Sequence, residues 1–169
     1  MTQELIDLRN SILEGRYEDA FIIIDELEDM SKKSILRNIM SFLIILMIHL
    51  IKNQIEKRLT NSWIASISNS VIEIQSLNLK DNLRSYYIKQ DEWNDYLEEA
   101  IERAIRPASV EVMDGKLKAA AISAQISRKY IIQISHKLLS LTYQYSAKEL
   151  PLAIDRVLAQ LYGGDEWFD

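Results

Sequence analysis

Residues 39–51, IMSFLIILMIHLI, constrain the fold of this chain more than any other stretch. The run holds thirteen residues with one histidine and no acid, lysine or arginine. A helix that spans a bilayer needs about 20 apolar residues, and backward extension meets Asn38 and Arg37. The expectation is therefore a long helix over about residues 35–58, buried on most sides in a bundle. The remaining chain must cover it with helices. Four Gly and two Pro in 169 residues are too few turn residues for a sandwich or barrel of many short strands. The hydrophobic fraction, 48%, is enough to bury a core.

Charge and cysteine content close off several functions. With no Cys there is no disulfide, no thiolate metal site and no thiol catalysis. The net charge is −5, whereas nucleic-acid affinity rests on basic residues that neutralise phosphates. The basic runs, Lys32, Lys33, Arg37 and Lys52, Lys57, Arg58, each sit beside acids and read as solvated faces. No nucleic-acid partner and no membrane partner are expected. Glu4, Asp7 and Arg9 interrupt the apolar positions of residues 1–14, so no secretory h-region is present there and a cytoplasmic location is expected.

Apolar periodicity places the other helices. Leu5, Leu8 and Ile12 share a face, and Gly15 suits the left-handed position after a helix end. A second helix is expected from about Glu18 to Met30, with residues 31–34 either a tight turn or a continuation into the long apolar helix. Asn61 is the expected N-cap of a helix carrying Ile64, Ile67, Val71, Ile74 and Leu77. Residues 78–90 read as a loop. Asp91 is expected to cap a helix with Trp93, Tyr96, Leu97, Ala100, Ile101 and Ala104 on one face, and Pro107 to end it or start a connection. After the Asp114-Gly115 turn, one long helix is expected over residues 116–145, and a last one from Pro151, stopped by Gly163 and Gly164. Leu13, Gly15, Tyr17 and Ala20 resemble one turn of a tetratricopeptide unit, but a single copy is an ordinary helical hairpin. The fold class is all-α, a bundle of six to seven helices with a long central apolar helix. It is expected to form a single domain over residues 1–164, with a short acidic-aromatic tail at 165–169.

Signatures of catalysis are missing. Neither His is preceded three positions earlier by Glu, as a carboxylate di-iron bundle requires. The zinc-protease helix motif, the P-loop and the dinucleotide fingerprint are absent as well. Arg128 and His136 are eight positions apart, which is too far for the helical ribonuclease arrangement. No cofactor is expected.

Two features remain. In residues 25–29, DELED, Glu26 and Asp29 share one helix face, as do Asp25 and Glu28 or Asp29. They could hold a divalent cation through oxygen ligands, or form a solvated acidic face. Acids late in a helix oppose its dipole, which favours a partner such as Lys32, Lys33 or an external cation. His49 and Lys52 lie three apart on the most apolar helix, as a base with its assistant or as core residues. Along a helix axis His49 and Asp29 are roughly 20–30 Å apart, so one site within a monomer does not contain both. A carboxylate within about 3.2 Å of the His49 ring would mark a general base with its orienting group.

Further segments repeat a known pattern: Leu13-Glu14-Gly15-Arg16-Tyr17, the acidic block running on through Met30-Ser31-Lys32, His49-Leu50-Ile51-Lys52, and Arg58 to Asn61-Ser62-Trp63, with a fainter echo at Leu150-Pro151. In these the chain resembles domain-of-unknown-function family 29, small helical proteins best known from cyanobacteria. The similarity covers mostly residues 5–75. It departs from the family pattern at Asn53, where an aromatic is usual, at Glu56 or Lys57, where Pro is usual, and in lacking a Cys-Pro element. The resemblance implies a helical bundle in a bacterial cytoplasm and no assigned activity.

The reading that combines these points is a non-enzymatic helical-bundle protein that binds a protein partner or itself, with a dimer as one form. The competing reading is a metal-binding protein through Glu26 and Asp29, or an enzyme using His49 and Lys52.

Overall fold

The structure, a computed structural model, describes residues 2–168. Its α-helices are α1 Thr2–Leu13, α2 Tyr17–Glu56, α3 Asn61–Asn78, α4 Asn94–Glu111, α5 Ala119–Gln125, α6 Arg128–Gln144 and α7 Leu150–Leu158. Two 3₁₀ turns, Val112–Gly115 and Gly164–Glu166, follow α4 and α7. Among the described residues there is no strand, only an isolated antiparallel bridge between Leu79 and Tyr86 inside the expected loop. The protein is all-α with a long apolar helix, as its periodicity and scarce turn residues imply.

The chain divides into two compact units, residues 1–37 and 38–169, and α2 contributes to both. In the first unit, α1 ends in a Schellman motif. Arg16 N–H donates to Ser11 O at 2.8 Å and Gly15 N–H to Ile12 O at 3.2 Å, with Gly15 at φ +73°. Residues 31–34 are helical, so the expected turn is a continuation and α2 is one helix of 40 residues. Lys32 and Lys33 are good helix formers, and no Gly or Pro interrupts the segment.

In the second unit, α6 packs against α3, α4 and α7, and α7 also meets α3. Ile39, Leu43, Leu46, Met47, Leu50 and Ile51 of α2 are buried, whereas Ile45 on another face stays exposed. Among the described residues, α2 is the one helix long and apolar enough to cross a membrane by length and composition, a test that the core helix of a soluble protein also passes.

Several boundaries differ from expectation. Thr60, not Asn61, caps α3: its Oγ1 accepts the Trp63 N–H at 3.2 Å. α4 starts at Asn94 with no side-chain cap from Asp91, and its entry is set by burial of Trp93. Pro107 lies inside α4, where the buried Ala104, Ile105 and Ala108 hold the helix together across it. The expected helix over 116–145 is two helices. Ile126 is extended, and Ser127 caps α6 by accepting the Tyr130 N–H at 3.3 Å. The break frees the Ser127 N–H, which donates to Gln54 Oε1 at 2.8 Å. α7 ends at Leu158, before the glycines. Within the expected tail, Trp167 Nε1 donates to Leu59 O at 2.8 Å, and Asp169 lies outside the described residues.

Candidate functional site

The last turns of α2 carry the polar residues of the apolar helix. Lys57 has φ +51°, a left-handed end that turns the chain toward α3. The turn is held from within by Asn53, which is fully buried. Its amide donates to Arg58 O at 2.9 Å and to Tyr162 O at 2.9 Å. The Thr60 cap then starts α3 and drives Trp63 inward beside the polar end of α2.

Trp63 is the centre of a charged cluster. Lys52 Nζ lies 4.7 Å and Arg58 Cζ 4.8 Å from the centroid of its ring, so two cations share one indole. Lys52 is 7% exposed and donates to Glu111 Oε2 at 2.7 Å, from the end of α4. Arg58 is held in turn by Glu56, 3.0 Å from its Nη2. The His49 ring sits 6.4 Å from the Trp63 ring, tilted by 42°. His49 Nδ1 is buried with no hydrogen-bond partner. Burial first, and the Lys52 ammonium second, pull the His49 pKa down to about 4, against a smaller opposing pull from Glu111. The ring is neutral at physiological pH. No hydrogen bond joins His49 to a carboxylate among the described residues. The nearby carboxylate, Glu111, is engaged by Lys52 instead, so the geometry of a general base with its orienting acid is not assembled. What the cluster does is tie the ends of α2 and α4 to the start of α3.

Glu111 was missed by sequence reasoning because nothing in the local pattern marks a residue 59 positions away as the partner of Lys52. Glu26 and Asp29 are both exposed on α2, and among the described residues no group of three His, Cys, Asp or Glu is placed to hold a metal ion. Glu26 borders a shallow groove in the first unit with Asp7, Glu14, Arg16 and Asp19. There Arg16 pairs with Glu14 at 2.8 Å and Asp19 at 2.9 Å.

A larger groove, of about 900 Å³, opens between the C-terminal ends of α3 and α6. Tyr143 lines it as a structural post. Its hydroxyl donates to Ile88 O at 2.6 Å and accepts from Trp93 Nε1 at 2.7 Å and Asn78 Nδ2 at 3.0 Å. Burial pushes its pKa up to about 12, so it is neither acid nor base near neutral pH. No histidine lines the groove.

The surface that departs most from a soluble monomer lies in the first unit. Among its described residues only Ser11 and Ala20 are buried. Leu5, Ile6, Ile12, Leu13, Tyr17, Phe21, Ile22 and Met30 are all exposed, Leu13 to 74% and Phe21 to 64%. The stripe of Leu5, Leu8 and Ile12 is legible in the sequence. That Leu5 and Ile12 stay exposed is not, because periodicity marks an apolar face without saying what buries it.

A family model described as Domain of unknown function DUF29 matches residues 17–116, more than half of the chain. The matched segment begins with α2 and contains His49, Lys52, Trp63 and Glu111. No curated protein and no solved structure matches the chain.

Proposed function

The chain belongs to the DUF29 family, and we propose that it works as a non-enzymatic protein-association module that docks through its N-terminal helical hairpin. One observation carries this reading: the hairpin of α1 and the first part of α2 buries two residues and exposes eight large apolar ones. Exposed apolar patches on soluble proteins mark sites where another surface binds. A pair of helices cannot bury both of its apolar faces by itself, and helical folds meet this by adding further helices. The neutral His49 and the Lys52–Glu111 pair have a structural role in this reading, as ties within the second unit.

The test compares the parent chain with Phe21→Glu and Leu5→Glu. Both positions are exposed, so each variant keeps its folding stability within about 0.5 kcal/mol. The parent associates, with itself or with another protein in bacterial lysate, and both variants lose that association. A parent that is strictly monomeric and retains the same proteins as the variants would sink the proposal.

A further inference from the structure

Within the first unit, α2 carries a second stripe beside the Ala20 side. Tyr17, Phe21, Ile24, Glu28, Ser31 and Ile35 follow one another at alternating steps of four and three residues. That is the spacing of a coiled-coil seam, which presents one line of side chains to a neighbouring helix. None of the six is buried. Charge of two signs follows in sequence order along this stretch: Asp25, Glu26 and Asp29 beside the seam and Glu28 within it, then Lys32 and Lys33. None of these six charged side chains makes an ion pair among the described residues.

We infer that the occupant of the hairpin face is a second copy of this chain, paired antiparallel along α2 across residues 24–35. This rests on the association role proposed above and names its partner. Parallel pairing would set Glu28 against Glu28 of the second copy and one acidic block against the other, which like charges oppose. Antiparallel pairing about a two-fold axis near residues 29 and 30 sets Ile24 against Ile35 of the second copy and Glu28 against Ser31 of the second copy. It also brings Asp25 beside Lys32 of the second copy, and the acidic block beside the two lysines. The same surface is then used twice, as an isologous two-fold interface requires.

The absence of Cys makes the test clean. Single-cysteine chains Ile24→Cys and Ile35→Cys, oxidised as a mixture, form a mixed disulfide dimer, whereas Ile24→Cys alone cross-links at least tenfold less. Separately, Asp25→Lys/Asp29→Lys and Lys32→Glu/Lys33→Glu each weaken self-association at least tenfold in sedimentation, and mixing the two restores it. Far-UV circular dichroism confirms that each variant is folded. Efficient cross-linking of Ile24→Cys by itself would overturn the antiparallel arrangement. A purified parent that stays monomeric, while Phe21→Glu loses a different protein from lysate, would overturn the second copy and leave the association role standing. A monomer that binds phosphatidylglycerol vesicles through Phe21 would overturn both.

Discussion

Lys52 and Glu111, 59 positions apart in the chain, meet at 2.7 Å where the end of α4 comes up against the last turns of α2. The lysine is nearly buried against the Trp63 ring and the carboxylate is half in water. The pair therefore sits between a surface ion pair, worth about 0–1 kcal/mol, and a buried one, whose disruption costs about 3–5 kcal/mol. Removing the carboxylate leaves the ammonium with the indole as its remaining near neighbour. We expect Glu111→Gln to lower stability by about 1–2 kcal/mol. Lys52→Met/Glu111→Gln should recover most of that loss, because the buried charge is gone. Urea unfolding of the three proteins at one pH measures both effects. If Glu111→Gln unfolds at the parent's midpoint, the pair is only a surface contact.

The depressed pKa of His49 makes stability depend on acid. The folded pKa is about 4 and the ordinary value of a histidine, kept in an unfolded chain, is 6.5, so between these values the unfolded state binds the extra proton. The contribution is complete above about pH 6.5 and falls as the pH drops toward 4. With the screening that a partly exposed ring feels, it amounts to on the order of 1–2 kcal/mol. In His49→Asn the slope of stability across this window should flatten relative to the parent. NMR titration of the His49 ring is the direct check, and a midpoint near 6.5 would contradict the burial argument.

Thr60 starts α3 with a side-chain cap, and α3 places Trp63. Loss of such a cap costs about 1 kcal/mol. Thr60→Ala should show that loss in thermal or chemical unfolding, and Thr60→Ser should keep the cap and most of the stability. Equal stability of all three proteins would mean that Asn61, the residue favoured by sequence, takes over the capping.

Gly15 and Gly163 separate backbone strain from crowding. Both have positive φ, +73° and +74°, but a Cβ at Gly15 meets nothing within 4 Å, whereas one at Gly163 would sit 2.9 Å from Leu59 N. Gly15→Ala should cost about 1 kcal/mol, from the left-handed backbone alone. Gly163→Ala should cost clearly more, because the α2–α3 turn must move. Similar losses at both sites, read as unfolding midpoints, would show that the turn yields easily.

The comparison of residues 31–34 with residues 116–145 explains what was legible. In the first, the sequence left a turn or a continuation open, and helix-forming lysines with no breaker let α2 run on. In the second, an unbroken pattern of Ile122, Ile126, Tyr130 and Ile134 reads as one helix, yet the chain breaks at Ile126. Both Ile122 and Ile126 stay buried across the break, and Ser127 gains a capping role and a bond to Gln54. Spacing alone cannot register that trade, since its reward lies 73 positions away. Pro107 is the opposite case, a strong local breaker overruled by buried alanines and isoleucine on either side.

The candidate sites divide in the same way. His49 and Lys52 stood out because polar residues on an apolar helix are visible in any window that contains them. Their surroundings did not: Trp63 as a shared cation platform, Glu111 as counter-charge, and the orphaned Nδ1 all depend on which helices meet.

By itself the sequence determined the helical class, the long apolar helix, the Gly15 ending and the family, because periodicity, backbone preference and short motifs are properties of neighbouring residues. Tertiary structure alone decided which carboxylate neutralises Lys52, how far burial depresses His49, and that the stripe of Leu5, Ile12, Tyr17 and Phe21 faces outward. Each of these depends on the packing of residues distant in the chain, where desolvation and charge pairing are set by geometry that leaves no periodic trace in the order of amino acids.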